Sequence, residues 1–150
     1  MITRRDIAIG VVTFAVTLCA VAVNSQTSVM TSTAVDWNSM TAKATNVGEV
    51  RQVFRNPTLT FEELECHVTT VKPHMASHPP HQHPQEEMVI IKEGTIEVLL
   101  NGEWKKVSPG SVAFFSSNQM HGLRNVGDTP ATYFVINVKT AATPKTQPAQ

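Results

Sequence analysis

The sequence contains little cysteine and no excess of either charge, and these two shortages exclude two classes of protein. Only two of the 150 residues are cysteines, Cys19 and Cys66, so a domain held together by several disulfide bonds is excluded. Twelve Lys and Arg residues balance twelve Asp and Glu residues, which gives a formal net charge of zero. Because nucleic-acid-binding domains carry a basic stripe or patch and none is visible here, nucleic acid is not an expected partner.

The first 23 residues have the features of an export signal. Arg4-Arg5 precede a largely apolar run over residues 7–23, which is shorter than the roughly 20 residues that a membrane-spanning helix needs. Ala20-Val21-Ala22 provides a small-x-small cleavage pattern. The paired arginines are similar to a bacterial twin-arginine signal. We therefore predict a cleaved signal and a periplasmic or secreted domain; the alternative is an uncleaved segment that contacts the membrane.

Cleavage of this signal would leave Cys66 as the one cysteine of the chain that follows it. A single thiol cannot form an internal disulfide bond, even in an oxidising compartment. Cys66 lies in an alternating, strand-like segment, and we interpret it as a small buried hydrophobic residue. The alternative interpretation is a thiol close to a metal site.

Composition divides the rest of the chain into one domain and two flanking segments. Residues 24–35 are rich in Ser and Thr without periodicity, which is typical of a flexible spacer. Residues 139–150 combine Pro, Thr, Ala and Gln and are predicted to form a disordered tail. The folded domain is therefore expected to span residues 36–138, with Trp37 anchoring its beginning.

The domain consists of short segments with strand-like patterns, separated by turn signals. Asn101-Gly102 is a strong hairpin signal, since a type I′ turn needs positive φ at both central residues. No segment after residue 23 has a convincing helical period. Many short strands in a domain of this size predict an all-β sandwich or closed barrel. The predicted strands cover residues 47–54, 61–71, 88–91, 96–100, 104–107, 112–115 and 132–138.

Histidines are concentrated in one short stretch, which scattered core histidines would not produce. Four of the six lie between residues 74 and 83. His81 and His83 would face the same side of a strand, and Glu87 has the same parity, so a strand through 81–87 is expected to direct three ligands into one space. His121 can supply a fourth ligand from another strand. Imidazole nitrogens with one carboxylate suit a divalent transition metal better than Ca²⁺ or Mg²⁺.

Two motifs in the chain resemble those of the cupin superfamily. The first cupin motif is H-x-H, three or four residues, E, six residues and G; the residues that fit it are His81, His83, Glu87 and Gly94. The second motif runs from a Pro-x-Gly turn to a histidine with an asparagine four residues later; the residues that fit it are Pro109-Gly110, His121 and Asn125. The resemblance covers about residues 47–138 and implies a double-stranded β-helix barrel of the jelly-roll type. Pro73-His74 and Ser111 depart from the family pattern at turns, not at ligands.

The resemblance implies a metal site with catalytic potential. The implied ligands of a divalent Mn, Fe, Ni, Cu, Co or Zn ion are His81, His83, Glu87 and His121. Three His and one Glu leave one or two positions open on the ion, as catalytic metal sites do. The leading hypothesis is a metal-dependent enzyme for a small organic molecule, with Glu87 as general base. An apolar cavity lined by Val, Ile, Phe and Met is expected, and a dioxygenase is slightly favoured over an isomerase or lyase.

Two other hypotheses come from different functional classes. The first is a non-catalytic cupin module that stores or senses a metal or another ligand. The second is a subunit interaction domain that forms a homodimer, which apolar residues exposed on the strand at 47–54 would favour.

The remaining candidate residues receive mainly structural interpretations. His67, His74 and His78 are taken as structural or exposed, with a role near the metal as the alternative. Asn125 is expected to be a turn residue rather than a ligand. The aromatic residues assigned to the core are Phe114, Phe115, Tyr133 and Phe134. Met88 and Met120 are expected either in the core or on the wall of the cavity.

Overall fold

The computed structural model describes residues 28–145, which form two antiparallel sheets. Within these residues the only helical element is one 3-10 turn, Trp37–Ser39. The strands are β1 (Lys43–Thr45), β2 (Gly48–Asn56), β3 (Glu63–Val71), β4 (Glu86–Glu93), β5 (Ile96–Leu100), β6 (Glu103–Val107), β7 (Val112–Phe115), β8 (Gly122–Asn125) and β9 (Ala131–Lys139). The larger sheet has the order β1-β2-β3-β9-β4-β7, and the smaller sheet has the order β6-β5-β8. The all-β prediction is confirmed.

The odd-numbered residues of β3, β4 and β9 face the space between the sheets. Side chains alternate along a strand, so residues of one parity share a face. Val71, Ile91 and Ala131 belong to the buried core, whereas Glu65, Glu87 and Asn137 lie at the opposite ends of the same strands. Tyr133 and Val135 lie between the two groups and are also buried. The interior therefore has an apolar end, which supplies the core, and a polar end.

The apolar end is built from both sheets. Ile96 and Val98 of β5 and Leu123 of β8 pack against Val89 and Phe115 of the larger sheet. Full burial of one such side chain stabilises a fold by about 1.5–3 kcal/mol. This apolar core sets the spacing between the two sheets, and the positions of the side chains at the polar end depend on that spacing.

The predicted hairpin at Asn101-Gly102 is confirmed. Both residues have positive φ, 52° and 83°, as a type I′ turn requires. The turn sets the register of β5 and β6, in which Leu100 lies opposite Glu103. The other predicted strands are present with ends that differ by one or two residues, as is typical of strand boundaries read from sequence.

The predicted strand through residues 81–87 is wrong. The strand β4 begins only at Glu86, and His81 forms an isolated bridge with His121. Pro84 has no N–H for a ladder, so the chain bends between His83 and Glu86 rather than continuing as a strand. The short strands β1 and β8 were not predicted, because neither has an alternating pattern long enough to be recognised.

The flanking segments are only partly described. The predicted signal at residues 1–23 lies outside the described residues. Residues 28–35 of the predicted spacer form no strand or helix, and the Met30 amide donates to the Pro57 carbonyl at 2.8 Å. Beyond β9, the Thr143 amide donates to the Thr140 carbonyl at 3.0 Å, which closes a turn. In the part of the chain from 28 to 145, no helix has the length and hydrophobicity to cross a membrane.

We predict that Gly94→Ala destabilises the domain far more than Gly102→Ala. Both glycines have left-handed φ, 88° and 83°, and a side chain there costs about 1–2 kcal/mol. At Gly94 a Cβ would also lie 2.4 Å from the Ala131 Cβ, whereas at Gly102 it would meet nothing within 4 Å. Overpacking adds about 1–3 kcal/mol, so urea unfolding should separate the two variants by that amount. Equal losses in both variants would contradict this account of the Gly94 contact.

Candidate metal centre

The first and last histidines of the predicted site are joined by backbone hydrogen bonds. The His81 amide donates to the His121 carbonyl and the His121 amide donates to the His81 carbonyl, each at 2.9 Å. This bridge connects the loop before β4 to the residue before β8, so it brings the larger and smaller sheets together at the polar end. His83 is placed by the Asn118 amide, which donates to its carbonyl at 2.8 Å.

Glu87 completes the group from the larger sheet. It is the second residue of β4, and its inward parity leaves it only 7% exposed, whereas its neighbour Glu86 is exposed. The Glu87 Oε2 lies 3.3 Å from the His83 Nε2, and its Oε1 lies 3.8 Å from the His121 Nε2. One carboxylate therefore faces two of the three imidazoles.

The three imidazoles converge on one point. Each can offer a ring nitrogen such that the three atoms, from His81, His83 and His121, lie within 4.8 Å of one another. All four residues that the sequence put forward are thus brought together from three places: the loop before β4 supplies His81 and His83, β4 supplies Glu87, and the residue before β8 supplies His121.

Hydrogen bonds to the outer nitrogens fix the direction of two rings. The Nδ1 of His121 bonds the Gln119 carbonyl at 2.8 Å, and the Nδ1 of His83 bonds the Gln85 carbonyl at 3.1 Å. A carbonyl only accepts, so Nδ1 carries a proton in both rings. The Nε2 of His121 is then left with a lone pair, whereas the Nε2 of His83 donates to the Glu87 carboxylate. The His121 ring is also stacked on Phe115, with ring centroids 4.5 Å apart.

Burial and neighbouring charges set the protonation of these groups. Burial, together with the nearby histidines, lowers the pKa of His81 to about 4. Burial also lowers the pKa of His121, whereas the hydrogen bond with Glu87 raises the pKa of His83. His81 and His121 are therefore neutral near pH 7, which is the form that binds a metal, and a metal at His83 must displace a proton.

The arrangement fits a divalent transition metal. The Nδ1 of His81 and the Nε2 of His121 are buried without a hydrogen-bond partner among the described residues. Buried polar atoms without partners are rare in folded proteins and need a specific explanation. Three imidazoles and one carboxylate match the ligand preferences of Mn, Fe, Co, Ni, Cu and Zn, and they do not match the oxygen shells of Ca²⁺ or Mg²⁺.

The candidate metal centre opens into a cavity of about 230 Å³. Its wall is mixed: polar side chains outnumber apolar ones, but the surface that faces the cavity is more apolar than polar, and Val135 alone represents the expected lining by Val, Ile, Phe and Met. The lining residues are His67, Thr69, Ser77, His78, His81, His83, Glu87, Leu123, Tyr133, Val135 and Asn137. Met88 and Met120 are exposed instead, at 40% and 46%, because their side chains point away from the interior.

Other predicted roles hold for some residues and fail for others. Asn125 is the buried last residue of β8, and its side chain organises the turn that follows: its Oδ1 accepts from the Gly127 amide and its amide donates to the Thr129 carbonyl, as well as to the carbonyls of Val71 and Lys72. Phe115 and Tyr133 are buried and Phe134 packs edge-to-face on Trp37, but Phe114 is 53% exposed because its parity on β7 is outward. His74 is exposed beside Asp128.

The prediction for Cys66 as a small buried hydrophobic residue is confirmed. Its side chain is 6% exposed on the even-numbered face of β3, away from the cavity. Burial and the nearby Glu65 carboxylate raise the pKa of the Cys66 thiol to about 11. The thiol is therefore protonated at neutral pH and unreactive.

Sequence reasoning missed most of the polar wall. Thr69, Tyr133 and Asn137 reach the cavity only because β9 pairs with β3, which places Tyr133 opposite Thr69 and Asn137 opposite Glu65. The parity of β3 could have indicated that residues 65, 67 and 69 share one face. Which face is interior depends on a pairing between strands about 70 residues apart, and no local pattern records it.

Comparison with known proteins identifies the family. Residues 67–137 match the family model described as Cupin domain. The structure of KdgF from Halomonas sp. is similar at a TM-score of 0.58 with 17% identity, over 74% of this chain and 97% of that chain. An RmlC-like cupin from Shewanella frigidimarina is similar at a TM-score of 0.59 with 11% identity, over 75% and 95% of the two chains.

A third similar structure is the polyketide cyclase RemF from Streptomyces resistomycificus. Its TM-score is 0.57 at 17% identity, over 77% of this chain and 89% of that chain. Among curated proteins, no sequence matches this chain. The family match and the shared fold agree with both motifs read from the sequence, and residues 67–137 form a cupin domain.

We predict that the protein binds about one transition-metal ion per chain and that the double variant His81→Ala/His83→Ala loses nearly all of it. Two of the three imidazoles disappear in this variant, and the remaining pair cannot hold a divalent ion against dialysis. Elemental mass spectrometry after native purification measures the content. His74→Ala is the matched control, because this exposed histidine also bonds a carboxylate but lies outside the site. Equal metal in the double variant and the control would contradict the assignment.

Proposed function

We propose that this cupin is a metal-dependent enzyme that acts on a small, oxygen-bearing organic molecule. The observation that carries the proposal is the convergence of His81, His83, His121 and Glu87 beside a cavity that all of them except His121 line. A metal bound there would act as a Lewis acid that polarises substrate oxygens at its open positions. His81, His83 and His121 would hold the ion, and Glu87 would serve as ligand and as proton acceptor.

The shape and lining of the cavity support a small polar substrate. Ligand sites usually measure about 300–1,000 Å³, and this cavity is smaller, at about 230 Å³. Hydroxyl groups of Thr69, Ser77 and Tyr133 face it, and the Tyr133 hydroxyl donates to the Ser77 Oγ at 3.0 Å. Burial raises the pKa of Tyr133 to about 12, so its phenol stays a neutral hydrogen-bond donor. Such a wall suits hydroxyl and carbonyl groups better than an aromatic ring.

This lining changes the balance among the possible reactions. The wall combines polar side chains with apolar surface and encloses only about 230 Å³, so its size rather than its polarity argues against an aromatic substrate for oxidative ring cleavage. Proton transfer, as in an isomerase or lyase, needs polar groups that hold substrate oxygens and accept a proton, and the cavity wall provides them. One structural neighbour is by its name a polyketide cyclase, so the fold can support catalysis.

The second candidate function is a binding module that holds a metal or small ligand without turnover. The small volume of the cavity favours it, because little room remains for a substrate beside a bound ion. An enzyme and a binding module would contain the same amount of metal, so turnover measurements on variants are needed to distinguish the two functions.

We expect Glu87→Gln to abolish turnover while retaining part of the metal. Glutamine keeps the size and one oxygen ligand but loses the negative charge and the ability to accept a proton, and general-base loss reduces rates by about 100- to 10,000-fold. Turnover across a panel of small hydroxy acids and keto acids, measured beside metal content, tests this. Glu86→Gln is the matched control because its side chain is exposed. If Glu87→Gln changes only metal affinity and the wild type turns over nothing, the binding module is the correct function.

We also propose that the protein is exported and that residues 1–23 are removed as a signal. The support is the arginine pair, the apolar run and the small-x-small pattern of the sequence. Intact-mass measurement of the protein recovered from the periplasm of its bacterial host should show a chain that begins just after residue 23. A chain that keeps its first residues and fractionates with the membrane would support the uncleaved anchor instead.

We further propose that the protein forms a homodimer. The strand at residues 47–54 does not support this with exposed apolar side chains, since Val47, Val50 and Phe54 are half-buried. Exposed apolar residues lie instead on β4 and β7, where Met88 is opposite Phe114. This face is the better candidate for contact between two copies.

A further inference from the structure

A second histidine and carboxylate pair lies on β3, two strands away from Glu87 in the same sheet. The His67 Nδ1 is 2.8 Å from the Glu65 Oε1, and both residues belong to the inward-facing row of β3. The His67 side chain lines the cavity together with His81, His83 and Glu87. It also lines a neighbouring depression of about 410 Å³ that includes Arg55 and is more open to solvent. No role in metal binding accounts for this pair.

Glu65 is held in its charged form by three donors. Its Oε1 accepts from the Gln52 amide at 2.9 Å as well as from His67, and its Oε2 accepts from the Asn137 amide at 2.9 Å. Burial alone would raise the pKa of Glu65, but the hydrogen bonds from His67, Asn137 and Gln52 outweigh it and lower the pKa to about 2. A buried carboxylate with every partner arranged in this way is fixed in position and in charge.

The fixed carboxylate determines which nitrogen of His67 carries the proton. An ionised carboxylate can only accept, so the Nδ1 of His67 must donate. In the neutral ring the Nε2 then has a free lone pair, and this atom is the proton acceptor of the side chain. The side chain is 24% exposed, which makes it accessible to a small molecule in the cavity. The arrangement repeats the logic by which a carboxylate orients a catalytic histidine in hydrolases.

We propose that His67 accepts a proton from a small hydroxycarbonyl or 2-oxo compound bound beside the metal centre, and that Glu65 is the residue that positions His67. The proposal rests on the proposed function, because it needs a molecule whose oxygen is held at the metal centre. It names the substrate class: a compound with an O–H, or with a C–H next to a carbonyl, within reach of β3.

The proton transfer is balanced without any other reactant. The O–H or C–H bond of the substrate breaks, its proton forms a bond to the His67 Nε2, and the electron pair stays on the substrate as an alkoxide or enolate. Glu65 stabilises the imidazolium that results. Return of the proton to a different substrate atom gives an isomer and restores neutral His67, so nothing is oxidised or reduced.

The position of His67 relative to Glu87 fits such a transfer. His67 lies on β3 opposite Val135, and Glu87 lies on β4 opposite Asn137, with β9 between them. Neighbouring strands are about 4.8 Å apart, so the two strands stand about 10 Å apart within the larger sheet. A small molecule lying over β9 could therefore contact His67 and the residues of the metal centre at the same time.

Exchange of substrate hydrogen for deuterium tests the proposal. The zinc-loaded full-length protein is incubated in D₂O with pyruvate or dihydroxyacetone, and proton NMR follows the loss of the C–H signals beside the carbonyl. We expect wild-type protein to accelerate exchange of at least one probe and His67→Gln to reduce the rate by about 100-fold or more. His67→Asn serves as the second variant if His67→Gln fails to fold. His74→Gln, at the exposed pair with Asp128, should exchange like wild type.

Metal content and ring protonation separate the possible failures. If wild-type protein binds no zinc, the proposed function fails, and the inference fails with it. If zinc is bound but wild-type protein exchanges neither probe, or His67→Gln exchanges at the wild-type rate, the inference alone is overturned. Nitrogen-15 NMR provides a readout independent of turnover: His67 should carry its proton on Nδ1, and Glu65→Gln should shift that proton toward Nε2. A ring protonated on Nε2 in the wild type would also overturn the assignment.

Discussion

At the polar end of this domain, three imidazoles and one carboxylate are enclosed together. The protein's own groups do not satisfy all of their hydrogen-bonding atoms. Buried charged and polar groups destabilise a fold unless they are paired. Glu87 pairs with His83, but nitrogens of His81 and His121 have no partner among the described residues. A divalent cation would satisfy all four groups at once, so metal binding and the stability of this end of the domain are linked.

The sheets can hold this arrangement because the residues of the metal centre and the apolar core lie at opposite ends of the same strands. The apolar end, around Val71, Ile91 and Ala131, fixes the spacing of the sheets, and Tyr133 is the one titratable group in this core cluster. Strand β9 lies between β3 and β4 and therefore connects the strand that carries His67 to the strand that carries Glu87. A substitution in the apolar end would then change the site only by moving β9, whereas substitutions at the polar end can change chemistry with little effect on the core.

The sequence was sufficient for features that local patterns encode. The Asn101-Gly102 turn requires positive φ at two residues, and few sequences meet that demand, so the β5–β6 hairpin could be predicted with its register. The spacing of His81, His83 and Glu87 predicted their convergence, but by the wrong route, since Pro84 ends the strand geometry and a bent loop delivers the histidines. Glu65, Asn137 and Tyr133 could not be found, because their meeting depends on the pairing of β3 with β9.

The most direct test of the metal centre is X-ray absorption spectroscopy at the edge of the metal bound to the purified protein. Three imidazoles produce a characteristic scattering pattern from their outer ring atoms, and nitrogen and oxygen ligands lie at about 2.0–2.2 Å from a zinc-like ion. The account predicts three imidazole ligands, one carboxylate and at least one exchangeable water, with the imidazole contribution reduced in His121→Ala. A closed shell without water, or one with fewer than three imidazoles, would contradict the central claim that this site holds an ion with open positions.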